Sequence, residues 1–371
     1  MPLSRRSFGR ALGVGAALCR LSPSLPLLNQ SNGESSGRTI GYAIIGLGRI
    51  SLQHFMPACK LSKYSKITAL VSGHRDKAEK TAAEYGVPDK NIYDYKNFDD
   101  IRDNKDVDAV YVALPNSMHA EYTIRAANAG KHVLCEKPMA ANVKDCQSMI
   151  NACKAANKKL MVAYRCQFEP TNLHAMKLIG DGALGKIQAI ESANGFNIHP
   201  GEWRLDKKLA GGGPLMDVGI YSLNACRYLT GEEPVHLEGY SSVVDHDGRF
   251  EQVEENLSWT MKFPSGVVAS CTTTYGANMP GFYRVHGSKG MLHMEPAFIY
   301  EGILLKAQIQ GEATPIDDPE EARDPTQFAV EADELAQCIM QGRETRASGE
   351  EGLRDMRYID EIYRSAGIKL G

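Results

Sequence analysis

Thr39-Ile40-Gly41-Tyr42-Ala43-Ile44-Ile45-Gly46-Leu47-Gly48-Arg49-Ile50-Ser51 carries the chain from an apolar run into a glycine turn. Residues 39–45 read as a short parallel strand buried on both faces. Leu52, Phe55, Met56 and Cys59 then recur at helical spacing. The motif between them is G-x-G-x-x-G with Ser51 in the third position. Gly46 permits the tight turn, and Gly48 lets a pyrophosphate approach the helix N-terminus, where free N–H groups and the dipole favour anions. Ser51 is small enough for close packing of helix on strand, and Leu47, Arg49 and Ile50 complete the loop. Strand, turn and helix in this order predict a dinucleotide site.

The alternation continues downstream. Strand-like runs at 67–71, 109–114, 131–135 and 160–164 are separated by helical stretches near 117–129 and 145–156. Repeated βα units predict an α/β, doubly wound parallel sheet with right-handed crossovers. Ligands gather at the C-terminal ends of such strands. Leu114-Pro115-Asn116, Cys135-Glu136-Lys137-Pro138 and Tyr164-Arg165 all fall at those ends and should ring one cleft. The second strand runs into Ser72-Gly73-His74-Arg75-Asp76-Lys77, without the Asp or Glu that binds a ribose 2′-hydroxyl. A carboxylate would repel a 2′-phosphate, whereas a hydroxyl and the cations Arg75 and Lys77 would bind it. NADP is therefore the expected cofactor; the alternative is a solvated helix start with incidental charges.

With 371 residues the chain exceeds what one hydrophobic core usually supports, so two domains are expected. A net charge of −3 offers no basic field to nucleic acid. No run of about twenty apolar residues predicts stable membrane insertion. Nine cysteines are too sparse for a disulfide scaffold, and the scattered histidines predict no metal site. Cys146 and Cys153, at i, i+7, read as apolar packing.

Residues 1–38 differ from this average. Ser4-Arg5-Arg6-Ser7-Phe8-Gly9-Arg10 precedes a mildly apolar stretch at 11–18. Paired arginines before Ser and Phe predict a twin-arginine leader and export of the folded protein to the periplasm. An arginine-rich mitochondrial presequence or a solvated tail is the alternative. Residues 22–38 read as an arm without its own core. The odd cysteine, Cys19, lies in this leader, and the other eight are expected to stay thiols. The expected organisation is leader and arm at 1–38, a nucleotide-binding domain at 39–160, and a substrate and oligomerisation domain at 161–371.

Gly211-Gly212-Gly213 reads as a flexible turn, and Pro214 suits the first turn of a helix. Asp217 and Tyr221 follow at i, i+4 and should share one helical face. By spacing alone, the simpler reading is a helix surface carrying an acid and a phenol. Beyond residue 185, runs at 187–193, 235–244, 254–263, 266–274 and 282–286 read as strands of a largely antiparallel or mixed sheet. Residues 328–340 read as a helix.

Taken together, Gly46-Leu47-Gly48, Pro115-Asn116, Glu136-Lys137-Pro138 and residues 211–221 carry a resemblance. From about residue 40 to its C-terminus the chain resembles the glucose-fructose oxidoreductase / inositol dehydrogenase (Gfo/Idh/MocA) family. Within it the likeness is strongest to the periplasmic glucose-fructose oxidoreductases, through Ile92-Tyr93-Asp94-Tyr95, Tyr164-Arg165-Cys166, Trp203-Arg204-Leu205 and residues 209–221. Many other members place His where this chain has Tyr221. The resemblance implies that Ser72 and Lys77 hold the 2′-phosphate and that Tyr95 joins the adenosine site. It also implies an open C-terminal sheet beside the nucleotide domain and a homo-oligomer, dimer or tetramer.

Oxidising a sugar carbon 1 hydroxyl needs a proton acceptor while hydride leaves for the nicotinamide. Tyr221 is the candidate acid/base, but a phenol titrates near ~10 and needs a nearby cation. Lys137 either supplies that charge or itself binds the reacting oxygen, and Asp217 orients either group. Arg165 is expected to face the cofactor or sugar. Trp203 and Arg204 suit a polyol pocket, although Trp203 fits equally as a packing aromatic. His119 either touches the nicotinamide end or is a solvated helix-start residue. An exported NADP enzyme has no outside pool with which to exchange cofactor. The resemblance therefore implies a ping-pong reaction on tightly bound NADP: glucose to gluconolactone, then fructose to sorbitol, or reduction of another aldose. The alternatives are an NADP-dependent sugar dehydrogenase with exchangeable cofactor, a redox-assisted glycosidase of the same superfamily, and a non-catalytic NADPH sensor.

Overall fold

A computed structural model describes residues 37–315 and 326–370, so the expected leader, with Cys19, lies outside the described residues. Strand β1 (Ile40–Ile45) is buried along its whole length and runs into the glycine turn. Gly46 has a φ of +90°, and a Cβ there would stand 2.3 Å from Ala113 O, so both backbone and space demand glycine. Ser51 Oγ closes the turn by donating to Gly46 O at 2.6 Å. The following helix opens on a wide π turn (Ser51–Phe55) before α1 (Met56–Cys59). A periodicity argument built on 3.6 residues per turn does not register that extra residue.

The βα alternation then proceeds through β2 (Ser65–Val71), α2 (Arg75–Tyr85), β3 (Ile92–Tyr93), β4 (Ala109–Val112), α3 (His119–Asn128), β5 (His132–Glu136), α4 (Val143–Ala155) and β6 (Leu160–Ala163). The six strands form one parallel sheet in the order β3-β2-β1-β4-β5-β6. This is the doubly wound sheet expected from sequence, with its ligand edge where the turns after β1, β2, β4, β5 and β6 emerge.

Helix α5 (Pro170–Gly180) leads into the second half: β7 (Ile187–Gly195), α6 (Lys207–Ala210), α7 (Ile220–Thr230), β8 (His236–Ser242), β9 (Asn256–Lys262), β10 (Val268–Thr274), β11 (Met279–Gly287), β12 (Gly290–Met294), β13 (Leu305–Ile309) and β14 (Glu312–Pro315). These eight strands form one sheet in the order β14-β13-β12-β11-β7-β10-β9-β8. Only β7 and β10 pair in parallel, so the sheet is mixed and mostly antiparallel. Strands β12 to β14 extend it beyond the last strand recognised in the sequence.

The last two helices, α8 (Thr326–Gln341) and α9 (Gly349–Ser365), return to the first sheet. Tyr42 Oη in β1 donates to Ala332 O of α8 at 3.0 Å, and α9 packs on α4 and on β8. The described residues from Gly37 onward therefore form one compact unit. The division at residue 160 falls on the first residue of β6, which belongs to the parallel sheet, so the sheets part a few residues later, and α8 and α9 cross back over that division. Among the described residues no helix is long and apolar enough to cross a membrane.

Two buried polar clusters fix α7, the helix that follows Pro214. Arg227 pairs with Glu233 at 2.7 Å and with Glu351 at 2.9 Å and Asp355, both from α9. A guanidinium so buried is tolerated only with such compensation. Glu254 accepts from Gly213 N at 3.0 Å and from Tyr363 Oη at 2.7 Å. A Cβ on Gly212 would lie 2.4 Å from Tyr363 Oη, and one on Gly213 2.7 Å from Glu254 O. The triple glycine is thus a tightly gripped turn and not the flexible one expected. Gly213→Ala should cost about 1–3 kcal/mol through overpacking, read as a lower thermal unfolding midpoint.

Candidate active site

Lys137 leaves the end of β5, and Asp217 sits in a second π turn (Leu215–Gly219) that opens α7. Lys137 Nζ donates to Asp217 O at 2.6 Å and to Oδ1 at 3.2 Å. Asp217 Oδ2 accepts from Arg204 Nε at 2.8 Å and from Tyr275 Oη at 2.9 Å. The Lys137 and Asp217 side chains are only 11% and 17% exposed, so water screens the pair weakly. Burial opposes ionisation of Asp217, but Lys137 and Arg204 outweigh it and hold the carboxyl well below its usual range. Asp217 is an anion at neutral pH. Tyr275 follows β10 in a stretch without any motif, and sequence reasoning missed it.

The i, i+4 face expected of Asp217 and Tyr221 is interrupted by the π turn, yet both residues reach Lys137. Lys137 Nζ lies 4.7 Å from the Tyr221 ring centroid. Phe298 stacks on the same ring at 5.7 Å, and Arg165 Cζ lies 4.9 Å from its centroid. Burial pushes the Tyr221 hydroxyl above its ordinary value, while Arg165 pulls it back. The resting phenol keeps its proton.

Arg165 itself departs from expectation. It is 3% exposed and donates to Phe298 O at 2.6 Å, Ile299 O at 3.1 Å and Gln327 Oε1 at 2.8 Å. The chain around 298–300 and helix α8 enclose it, so its guanidinium turns inward and supports Tyr221 rather than facing a cofactor or sugar. Gln327 was also missed. With Glu331 it places two buried polar side chains at i, i+4 on α8, a signal visible only once that face is known to be covered.

At the dinucleotide end, Gly48 is the informative residue. No atom lies within 4 Å of a Cβ built there, so nothing in the protein demands glycine, and the room it leaves suits a close-packed pyrophosphate. Leu47 is buried, Ile50 half-buried, and Arg49 pairs with Glu202 at 3.7 Å. No carboxylate ends β2; Ser72 is buried there, its hydroxyl accepting from His74 N at 3.1 Å. A Cβ on Gly73 would stand 3.1 Å from the Tyr95 ring, so Tyr95 lies directly against this turn. Lys77 Nζ donates to Leu47 O at 2.5 Å and ties the first turn of α2 to the glycine loop. These residues fit a dinucleotide.

Three side chains expected to hold cofactor are committed elsewhere. Arg75 pairs with Glu79 at 2.7 Å and with Asp89, so two carboxylates already neutralise the charge expected to meet a phosphate. Asn116 Nδ2 donates to Ala210 O at 2.8 Å and fastens the turn after β4 to α6. His119 is fully buried, its ring nitrogens 2.9 Å from Pro138 O and from Leu114 O. It is neither solvated nor open to a ligand; it braces the turns after β4 and β5, and burial pushes its pKa down. Leu114 and Pro115 are half-buried beside it. Glu136 accepts from Tyr111 Oη at 2.5 Å and from Lys137 N at 3.2 Å. The ring of Trp203 carries the Arg204 guanidinium, Cζ 4.7 Å from a ring centroid, which aims Arg204 at Asp217.

A dinucleotide sheet whose strand ends meet a buried Lys–Asp pair and a phenol defines a nicotinamide-dependent oxidoreductase. Residues 40–164 match the model of an oxidoreductase family with an NAD-binding Rossmann fold, and residues 172–293 match the GFO/IDH/MocA C-terminal domain. The chain belongs to the Gfo/Idh/MocA oxidoreductase family. It is 33% identical over 333 residues to the D-xylose 1-dehydrogenase (NADP(+)) of Haloarcula marismortui, covering 88% of this chain and 91% of that one. Among solved structures it resembles the aldose-aldose oxidoreductase from Caulobacter crescentus complexed with glycerol. That match has 46% identity and a TM-score of 0.86, over 89% of this chain and 98% of that one. A 3-ketoreductase from Actinomadura kijaniata, in complex with NADP and TDP-benzene, aligns at 25% identity and a TM-score of 0.76, over 88% and 98% of the two chains.

The contrast between the two loop glycines is testable. Gly48→Ala should leave the unfolding midpoint unchanged and weaken dinucleotide binding by at least about tenfold, or about 1.4 kcal/mol. Calorimetric titration alongside thermal unfolding checks both halves of that statement.

Proposed function

We propose that the protein is a periplasmic sugar oxidoreductase that oxidises one aldose and reduces a second sugar on a single, retained NADP. The observation that carries this reading is the Lys137–Asp217–Tyr221 cluster at the edge where the dinucleotide loops emerge. The likeness to an aldose-aldose oxidoreductase favours a second aldose over fructose as acceptor. The twin-arginine pattern supports export after folding, which would carry the cofactor out with the protein.

The loop 46–51 and the Ser72–Gly73 turn with Lys77 and Tyr95 would hold NADP, which supplies the hydride acceptor and donor. Lys137 Nζ, set beside the Tyr221 ring, is placed to donate a hydrogen bond to the reacting sugar oxygen. Asp217 fixes the direction of Lys137, and Arg204 and Tyr275 fix Asp217. Tyr221, once ionised, takes the proton of the first sugar's hydroxyl at Oη and returns one to the carbonyl oxygen of the second. Proton and hydride therefore balance over the two half-reactions, and the enzyme ends as it began. The Trp203–Arg204 turn borders the same cluster and provides an aromatic surface for the sugar.

The protein purified from the periplasm should contain NADP without any addition. An aldose should raise the near-ultraviolet band of reduced nicotinamide, and a second sugar should bleach it, one equivalent each. A specific observation favours a second reading, a dehydrogenase with exchangeable cofactor: the likeness to an NADP-dependent xylose dehydrogenase. Protein that purifies free of nicotinamide, yet turns over with added NADP, would establish that reading instead.

Cofactor choice has its own test. Ser72→Asp places a carboxylate where the 2′-phosphate would lie, so it should weaken NADP relative to NAD by roughly tenfold or more. Paired titrations with the two dinucleotides measure the ratio.

A further inference from the structure

Two cations flank the Tyr221 ring, and they are electrically different. Lys137 belongs to an alternating chain: Lys137 to Asp217 at 3.2 Å, Asp217 to Arg204 at 2.8 Å, Arg204 to Glu202 at 3.7 Å. Its charge is matched by the carboxylate it touches. Arg165 has no such match. Among the described residues no carboxylate lies within ion-pair distance of it; its bonds go to two carbonyls and an amide. Its Nε has no hydrogen-bond partner. The guanidinium is instead held between two aromatic faces, 4.9 Å from the Tyr221 centroid and 4.6 Å from that of Tyr300.

Of the remaining groups around Tyr221, Glu136 acts against this charge, but less strongly than Arg165 acts for the phenolate. Cys166, beside Arg165, has its thiol pushed up to about 11 by burial and stays neutral. Tyr300 is pushed up to about 12, also chiefly by burial. Two carboxyl groups feel the field of Arg165, Glu136 and Glu331. Burial pushes both upward, and neither oxygen of Glu331 has a hydrogen-bond partner. Asp217, on the same segment as Tyr221, is already claimed by Lys137, Arg204 and Tyr275.

We propose that Arg165 is the positioning residue whose unmatched charge favours the phenolate of Tyr221, leaving Lys137 to bind the reacting sugar oxygen. This rests on the reading of Tyr221 as the acid/base, and it assigns the two cations separate tasks. A nearby positive charge stabilises the ionised form of a phenol. Of the charges around Tyr221, Arg165 acts on it most strongly in that direction. The benefit reaches both half-reactions: oxidation of the first sugar needs the phenolate as proton acceptor, and reduction of the second generates the phenolate as the phenol gives up its proton. Only the oxidative half starts from the ionised form, so only there does the charge set a pH dependence.

The test is the pH dependence of each half-reaction, followed in single turnovers by nicotinamide absorbance. For the oxidative half the rate rises with pH as the phenol ionises. Arg165→Gln, which keeps hydrogen-bonding capacity and removes charge, should move that limb up by about one pH unit and slow oxidation about tenfold on the rising limb. The reductive rate near neutral pH should fall as well, since the phenol becomes a weaker acid, but without a new pH dependence. Arg165→Lys, which keeps the charge, should restore the limb. Should Arg165→Gln not accumulate as folded protein, Gln327→Glu sets a carboxylate where Gln327 Oε1 now accepts from Arg165 at 2.8 Å. It should shift the limb in the same direction. An unmoved limb overturns the role of Arg165. Tyr221→Phe tests the underlying reading separately: a limb that survives in that variant removes Tyr221 as the acid/base, whatever Arg165 does.

Discussion

A carboxylate withdrawn from water has to be met by positive charge and hydrogen-bond donors, and Asp217 is met from both halves of the chain. Lys137 reaches it from the end of a strand in the parallel sheet, Arg204 from the loop before α6, and Tyr275 from the end of a strand in the mixed sheet. No one of these segments contains enough to satisfy the group alone. The site consequently exists only when the two sheets are docked, and the same contacts that neutralise Asp217 bring Lys137 against Tyr221. Electrostatic necessity and the geometry of the candidate site are here one arrangement.

The parts of this arrangement that could be read in advance are those governed by local sterics. Gly46 must be glycine because its own φ and the carbonyl of Ala113 require it, and Gly48 stands out because nothing in the protein does. Strands β1, β4 and β6 of the parallel sheet are buried along their whole lengths, and the apolar runs this requires are conspicuous in a sequence. Strand β3, at two residues, was too short to declare itself as a strand. The two π turns escaped because apolar spacing averages over a whole helix.

Side-chain direction was far less legible, since it depends on partners distant along the chain. Asn116 was drawn away by Ala210, Arg165 by Gln327 and the carbonyls of Phe298 and Ile299, and Arg75 by Asp89. Each sits in a turn at the ligand edge of the sheet, as expected, and each points elsewhere. Strand ends locate a site to within a few residues; they do not say which of those residues face it. Tyr275 shows the converse, a residue at the centre of the charge network with no recognisable setting in sequence. The resemblance to a family singled out Asp217 and Tyr221 where helical spacing was ambiguous, and the structure sets both against Lys137.

Helix α9 supplies none of the side chains of the candidate site, yet Tyr363 within it holds Glu254 against the triple-glycine turn, and Glu351 and Asp355 neutralise Arg227 in the helix bearing Tyr221. Those contacts make α9 a splint: a chain without that helix would keep every chemistry-bearing residue and lose the clamp that orients them.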